Sequence, residues 1–183
     1  MRRILSGHKI YLRLIEQGDL AKRVEWINDP AVQATLNFDY PTSLARTQKW
    51  FEAIVPDKTR LDFSICLPGS QEYIGIGGIV NINHLSKKAE LYVSIGNRDY
   101  WGRGSATETI ILLTNYGFIE LGLNRLYGFY NADNGKTSHI TQKIGWKHEG
   151  TFRQDLVSHG KIHDRNVVAI LKSEWENNPD YDI

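Results

Sequence analysis

The sequence predicts an α/β fold, more narrowly α+β: a mixed, mostly antiparallel sheet with flanking helices, organised around one central strand-loop-helix unit. Three observations lead there. Apolar residues alternate over several short runs, as in strands, and recur at three- and four-residue spacing over others, as in helices. Three strand-like runs follow one another from Asp62 to Ile95 with short turns between them, the pattern of an antiparallel meander. The last of these runs leads through Trp101-Gly102-Arg103-Gly104-Ser105-Ala106 into a long helical pattern.

The elements follow in chain order. Ile10, Leu12 and Leu14 alternate with Tyr11 and Arg13, predicting a first strand. Asp19 is placed to cap a helix carrying Leu20, Val24 and Ile27 on one side. It ends at Asn28-Asp29-Pro30, because proline disfavours helix at the residue before it. Thr42 or Ser43 starts a second helix through Trp50, Phe51 and Ile54, stopped by Pro56. Between them, Ala34 to Pro41 is a loop whose Phe38 and Tyr40 suit a substrate wall. The meander strands are Asp62 to Leu67, Tyr73 to Asn83 and Ala89 to Ile95. Within the second, Gly75-Ile76-Gly77-Gly78 marks a bulge or a close backbone approach. A helix from Ala106 to about Leu121 sets Ala106, Ile110, Leu113 and Gly117 on one face, and Gly122 stops it. Leu126 to Asn131 is a strand, Lys136 to Ile144 a helix capped by Gly145, and Gly150 to Ser158 with Asn166 to Lys172 a closing hairpin.

Composition narrows the function classes. The 183 residues suit a single domain over 1–176, with a polar tail at 177–183. Lysine and arginine number 22 against 21 acids, so charge gives no reason to invoke nucleic acid. Trp26, Trp50, Trp146 and Trp175 read as core or substrate-wall residues, since no basic residues interleave with them as a stacking platform. With one cysteine, Cys66, neither an internal disulfide nor a cysteine zinc site can form, and its apolar setting reads as core. His159 and His163 are hairpin residues rather than a helical metal pair, because Gly160 lies between them. The basic start lacks the apolar segment of a signal peptide, and no uncharged run approaches the ~20 residues that span a bilayer. A cytoplasmic protein without a membrane partner is the expectation.

The chemistry lies in Ile95 to Glu108, where a strand ends, a glycine loop follows and a helix begins. A helix start offers unpaired N–H groups and partial positive charge. Gly102 and Gly104 let the backbone curl toward a ligand, and Arg103 adds a full charge. Together these suit a phosphate or pyrophosphate. The spacing fits neither Gly-x-Gly-x-x-Gly nor the Walker pattern, and taken alone it also describes an ordinary capped turn.

This segment resembles the acyl-CoA loop of the GNAT superfamily of N-acetyltransferases, Gln/Arg-x-x-Gly-x-Gly/Ala. Gly104 and Ala106 match, and Trp101 stands in the Gln/Arg place. Tyr-Trp-Gly-Arg-Gly-x-Ala-Thr-Glu is similar to the branch of ribosomal-protein N-terminal acetyltransferases of the RimJ/RimL type. Further matches follow in order. Ala89 to Ile95 resembles the family's fourth strand; Asn134-Gly135-Lys136-Thr137 with Gln142-Lys143-Ile144-Gly145-Trp146 resembles Asn-x-x-Ser…Glu-Lys-x-Gly-Phe; Glu149 to Arg153 and Asp164 to Trp175 resemble the branch's closing hairpin. The resemblance covers nearly the whole chain. It implies a GNAT-like fold and direct attack of an amine on acetyl-CoA, which serves as co-substrate. The acceptor would be a protein N-terminus, polyamine, amino sugar or antibiotic amine, and the enzyme a monomer or homodimer.

The same resemblance implies roles. The loop residues Trp101, Gly102, Arg103, Gly104, Ser105 and Ala106 hold the pyrophosphate. Asn134 and the backbone of Val93 and Ile95 hold the pantetheine arm. Glu90 stands at the family's frequent carboxylate position as the base, or else is a charge on a solvated strand face. Asp155 is a second carboxylate candidate. Thr137, in the branch's serine place, is set to hydrogen-bond the sulfur. Thr141 occupies the place where many members carry a tyrosine acid, and His139 beside it reads as exposed. Two other readings stay open: a non-catalytic acyl-CoA sensor, and a nucleotide-phosphate binder using the same loop.

Overall fold

In the computed structural model, which describes residues 5–36 and 41–176, the strands are β1 (Leu5–Ser6), β2 (Tyr11–Leu14), β3 (Leu61–Cys66), β4 (Tyr73–Asn83), β5 (Lys88–Ile95), β6 (Arg125–Asn131), β7 (Lys147–Ser158) and β8 (Lys161–Leu171). The helices are α1 (Leu20–Asn28), α2 (Pro30–Gln33), α3 (Leu44–Ile54), α4 (Ser105–Ile119), α5 (Gly135–Lys143) and α6 (Lys172–Glu176). The strands form one sheet in the order β1-β2-β3-β4-β5-β6-β8-β7, parallel only between β5 and β6 among the described residues. The main core lies against α4 and includes Leu12, Phe63, Ile79, Leu91, Leu113 and Phe118; on the other face a smaller cluster joins Ile15, Leu20, Ile54 and Ile76 to Trp50 and Phe51.

The helices and the meander match the sequence expectations closely. Ser43 caps α3 by accepting from the Arg46 N–H at 3.2 Å. Asp29 ends α1 and caps the proline-led α2, accepting from Ala31 N–H at 2.8 Å. The β4 glycines mark close approach: a Cβ at Gly75 would lie 2.5 Å from the Ser94 carbonyl oxygen, and one at Gly78 2.6 Å from the Tyr92 ring. Cys66 is buried, and burial pushes its thiol above the usual range, as befits a core residue. Phe38, Tyr40 and the 177–183 tail fall outside the described residues.

Four features differ from what the pattern alone conveys. First, β2 is the expected strand, but its burial does not follow the alternation: Tyr11 and Arg13 are buried beside Leu12, while Leu14 is 45% exposed. The strand is covered on both sides, so alternation of polarity does not apply. Second, Asp19 stands before α1 but does not bond to the helix amides. Its carboxylate takes both Arg13 guanidinium nitrogens at 2.6 Å, the Ser64 hydroxyl at 2.7 Å and the Glu16 N–H at 2.9 Å. Third, the closing hairpin is longer than expected, because its strands run to a two-residue turn where His159 (φ 51°) and Gly160 (φ 70°) are both left-handed. Its exposed tip carries no regular apolar alternation to read. Fourth, α6 was not foreseen; it buries Trp175, whose indole N–H donates to Asn115.

Arg13, Asp19 and Ser64 thus form a buried network that ties β2, the turn before α1, and β3 together. Burial pushes the Asp19 carboxyl up, but the hydrogen bonds from Arg13, the Glu16 N–H and Ser64 outweigh it and hold the group below its usual range. Asp19→Ala should destabilise the protein by about 3–5 kcal/mol, the cost of stranding one partner of a buried pair, read as a lower urea midpoint at unchanged slope. A depressed carboxyl contributes stability that is complete above the unfolded value of about pH 3.9 and is lost as pH falls through the folded value. The stability gap between wild type and Asp19→Asn should therefore narrow as acid is added below that range.

Candidate functional site

The site begins where β5 and β6 part. Their parallel pairing covers only Lys88–Arg125, Ala89–Leu126 and Glu90–Tyr127. Beyond it β5 stays with β4 through Ile95, and β6 stays with β8 through Asn131. Gly128 lies in the fork, where a Cβ would come within 3.1 Å of the Leu91 carbonyl oxygen. The Gly96 N–H points to Ile74 on β4, so strand alternation turns the N–H groups of Val93 and Ile95 the other way, into the gap. A cavity of about 600 Å³ fills this gap. Glu90, Tyr92 and Val93 line it from β5, Phe129, Tyr130 and Asn131 from β6, Ala106 and Ile110 from α4, and Asn134, Thr137 and Thr141 from α5 and its cap.

Two polar atoms in this lining are buried without a hydrogen-bond partner: Asn131 Oδ1 and Trp146 Nε1. Each such atom costs about 1–3 kcal/mol. Both atoms lie behind the cleft wall, and it is the unpaired edge of β5 that suits an amide-bearing arm such as pantetheine.

The loop between β5 and α4 stands beyond the cavity. Gly102 (φ 73°) and Gly104 (φ 87°) take left-handed conformations that a side chain would strain. Gly104 starts α4 with no side-chain cap, which leaves the amides of the first turn to a ligand. Arg103 is exposed, its guanidinium 5.3 Å from the Tyr100 ring centroid. Ser105 is buried, and its carbonyl accepts the Thr109 hydroxyl at 2.8 Å. Trp101 donates its indole N–H to the Ile95 carbonyl at 2.8 Å. Ile95 is expected from the sequence to offer its backbone to a ligand; its carbonyl is already engaged, leaving the N–H.

Lys9 carries no signal in the sequence. Its ammonium donates to the Arg103 carbonyl at 3.2 Å and would lie 3.0 Å from a Cβ at Gly104, so it adds a second cation to the loop. Buried Glu108 on α4 holds it there, accepting the backbone N–H groups of His8 and Lys9. Nothing local to either segment marks this link, which spans about a hundred residues.

The candidate catalytic groups separate clearly. Glu90 lies on the cavity wall at the last β5–β6 pair, accepting from Asn81 Nδ2 at 2.9 Å. Thr137 lines the cavity near Asn134, whose Oδ1 accepts the Thr137 N–H at 3.1 Å as a helix cap. The Thr141 hydroxyl is spent on the Thr137 and Ser138 carbonyls, each at 3.0 Å. Asp155 is ion-paired with Arg165 and lies outside the cavity lining, and His139 is exposed on α5, as expected, and outside the lining as well. Across β5 from α4, a second cavity of about 380 Å³ shares Glu90 and Tyr92 with the first.

Residues 9–147 match the family model of the acetyltransferase (GNAT) domain. The chain belongs to the GNAT acetyltransferase family. It is 30% identical over 176 residues to a putative ribosomal N-acetyltransferase, YdaF, of Bacillus subtilis, covering 91% of this chain and 93% of that one. It is 27% identical over 171 residues to a spermidine N(1)-acetyltransferase of Escherichia coli, covering 93% and 90%. In fold it is similar to the Vibrio cholerae spermidine N-acetyltransferase solved with CoA and spermine, with a TM-score of 0.86, 22% identity, and coverage of 92% of this chain and 99% of that one. The protein is thus an acetyl-CoA-dependent N-acetyltransferase. Among the described residues no helix is long and apolar enough to cross a membrane.

Glu108→Ala should free the segment around His8 and Lys9, at a cost of about 1.5–3 kcal/mol per charge-assisted hydrogen bond lost. Hydrogen exchange should accelerate at those amides while protection in the meander is retained; unchanged exchange there would remove Glu108 from this role.

Proposed function

We propose that the GNAT loop of this chain, Trp101 to Ala106, holds the pyrophosphate of acetyl-CoA, that the β5–β6 gap takes the pantetheine arm, and that Glu90 receives the proton of an attacking primary amine. The observation that carries this reading is the parting of β5 from β6 directly after Glu90. A free strand edge and a carboxylate thus border one cavity, and α4, whose glycine start stands beyond it, lines the cavity from Ala106.

The thioester supplies an activated acetyl carbon. The protein's work is placement and proton handling. Amides of the first turn of α4, with Arg103 and Lys9, meet the phosphates' charge. The Val93 and Ile95 N–H groups and the Asn134 side chain guide the arm into line. The amine nitrogen bonds to the acetyl carbon as the carbon–sulfur bond breaks. The amine's proton passes to Glu90, directly or through a water, and Thr137 donates to the leaving sulfur. The acceptor is a primary amine; the relatives' names point to polyamines on one side and ribosomal proteins on the other. The enzyme would act in the cytoplasm.

One observation favours a second reading, an acyl-CoA-binding module without turnover: Thr141 replaces the family's usual acid, and its hydroxyl is committed to helix carbonyls. Binding and thiol release separate the two. Gly104→Glu, which adds a like charge to the loop, should weaken acetyl-CoA binding about a hundredfold or more, ~2.7 kcal/mol, by calorimetry; unchanged affinity in a folded variant would sink the assigned loop. Glu90→Gln should lower kcat by about 10²–10⁴-fold with little change in acetyl-CoA affinity. Intact binding with no thiol release from any amine would establish the binding module instead.

A further inference from the structure

Arg23 on α1 is a cation with no counter-charge paired to it among the described residues. Its guanidinium lies 4.0 Å from the Trp50 ring centroid, and its Nε is buried without a hydrogen-bond partner. The acid that it senses, Asp62, is already engaged: Arg60 grips it through two nitrogens at 2.7 and 2.8 Å, and the Tyr92 hydroxyl donates to it as well. Burial lowers the Arg23 pKa from the ordinary arginine value, so its surroundings oppose the charge that it carries. A desolvated guanidinium without a carboxylate is costly to keep, and its planar fork matches a carboxylate or phosphate.

Arg23 lines the 380 Å³ cavity together with Arg60, Trp50, Asn81, Tyr92 and Glu90. Because Glu90 is also on the wall of the larger cavity, this chamber reaches the proposed base from the side away from α4. One part of its wall is a carboxylate fixed by Asn81; another is the Arg23 guanidinium stacked on Trp50. A polyamine would meet two arginines here and a single unsaturated acid.

We propose that this chamber receives the acceptor and that Arg23 recognises an anionic group on it, so that the substrates are small amines bearing a carboxylate or phosphate rather than polyamines. The inference rests on the reading of Glu90 as the group that takes the amine's proton. The amine lies toward Glu90, its acid group toward Arg23, and acetyl transfer proceeds as above, with the nitrogen gaining the acetyl carbon and the sulfur leaving.

Matched acceptors test this: β-alanine against its amide, phosphoethanolamine against ethanolamine, and spermidine, with wild type, Arg23→Met and Arg23→Lys. Wild type should favour an acid over its neutral partner by about tenfold or more in kcat/KM. The favoured acid tells carboxylate from phosphate. Arg23→Met should erase the preference by raising the acceptor KM while acetyl-CoA affinity holds, and Arg23→Lys should keep part of it. If Arg23→Met fails to fold, the wild-type pairs and Arg23→Lys still decide. Calorimetric binding of the same acids to the CoA-loaded protein provides a reading without turnover. Acid binding that depends on Arg23, with no thiol release, would retain the chamber and overturn acetyl transfer. Turnover of neutral amines or spermidine as good as that of the acids would overturn the chamber and retain acetyl transfer. Absence of both acid binding and acid turnover would overturn the chamber.

Discussion

The whole arrangement depends on two strands that stop pairing. Backbone N–H and C=O groups demand partners, and a sheet ordinarily supplies them along its full length. Between β5 and β6 the supply ends after Glu90 and Tyr127, in the middle of the sheet rather than at its edge. An interior strand is thereby left with an unpaired edge. The cleft is lined by apolar residues from α4 and by Trp146, which keeps it from being a mere solvent channel. A ligand with alternating amide donors and acceptors is the natural complement of such an edge, and this is the physical content of the family's use of acetyl-CoA.

The loop proposed to meet the phosphates is held in place relative to this gap by contacts remote in sequence. Glu108 reaches from the first turn of α4 to the backbone of His8 and Lys9, and Lys9 returns to the Arg103 carbonyl. Trp101 closes the other side by bonding to the last residue of β5. The indole therefore fills the family's Gln/Arg place with a hydrogen bond that fixes the loop to the strand. The buried Arg13–Asp19–Ser64 network does similar work for the opposite face, where α1 carries Arg23 over the second cavity.

Much of this was legible in the sequence, and the limits are physical. Elements with one dry face announced themselves: α3, the three meander strands and the start of α4 follow from periodicity and punctuation. The loop was readable because left-handed backbone favours glycine, and Gly102 and Gly104 supply it. β2 reads as a strand although both its faces are covered, whereas Asp19 misleads because a carboxylate before a helix reads as a cap whether or not a buried arginine claims it. The first five residues of β8, from Lys161, escape because they carry no apolar alternation. Lys9, Asn131 and Arg23 matter through partners or cavities far off in sequence, and no local pattern encodes those.

Thr141 in the place of the family's tyrosine acid has a consequence for how the rate is achieved. With the Thr141 hydroxyl turned into its own helix and Asp155 paired with Arg165, the described cleft offers few groups to protonate a leaving thiolate. A thiolate is a far better leaving group than an alkoxide, since a free thiol ionises near about pH 8.5, so protonation during the step is of modest value. More of the rate comes from bringing a neutral amine into line with the carbonyl, for which held geometry can supply ~7–11 kcal/mol. Two cavities meet at one carboxylate, and in the proposed reading each positions one reactant, with Glu90 where both have access to it. Glu90 as the proposed base would then act mainly by removing the proton that keeps the amine from attacking, while the clefts on either side of β5 would do the aligning.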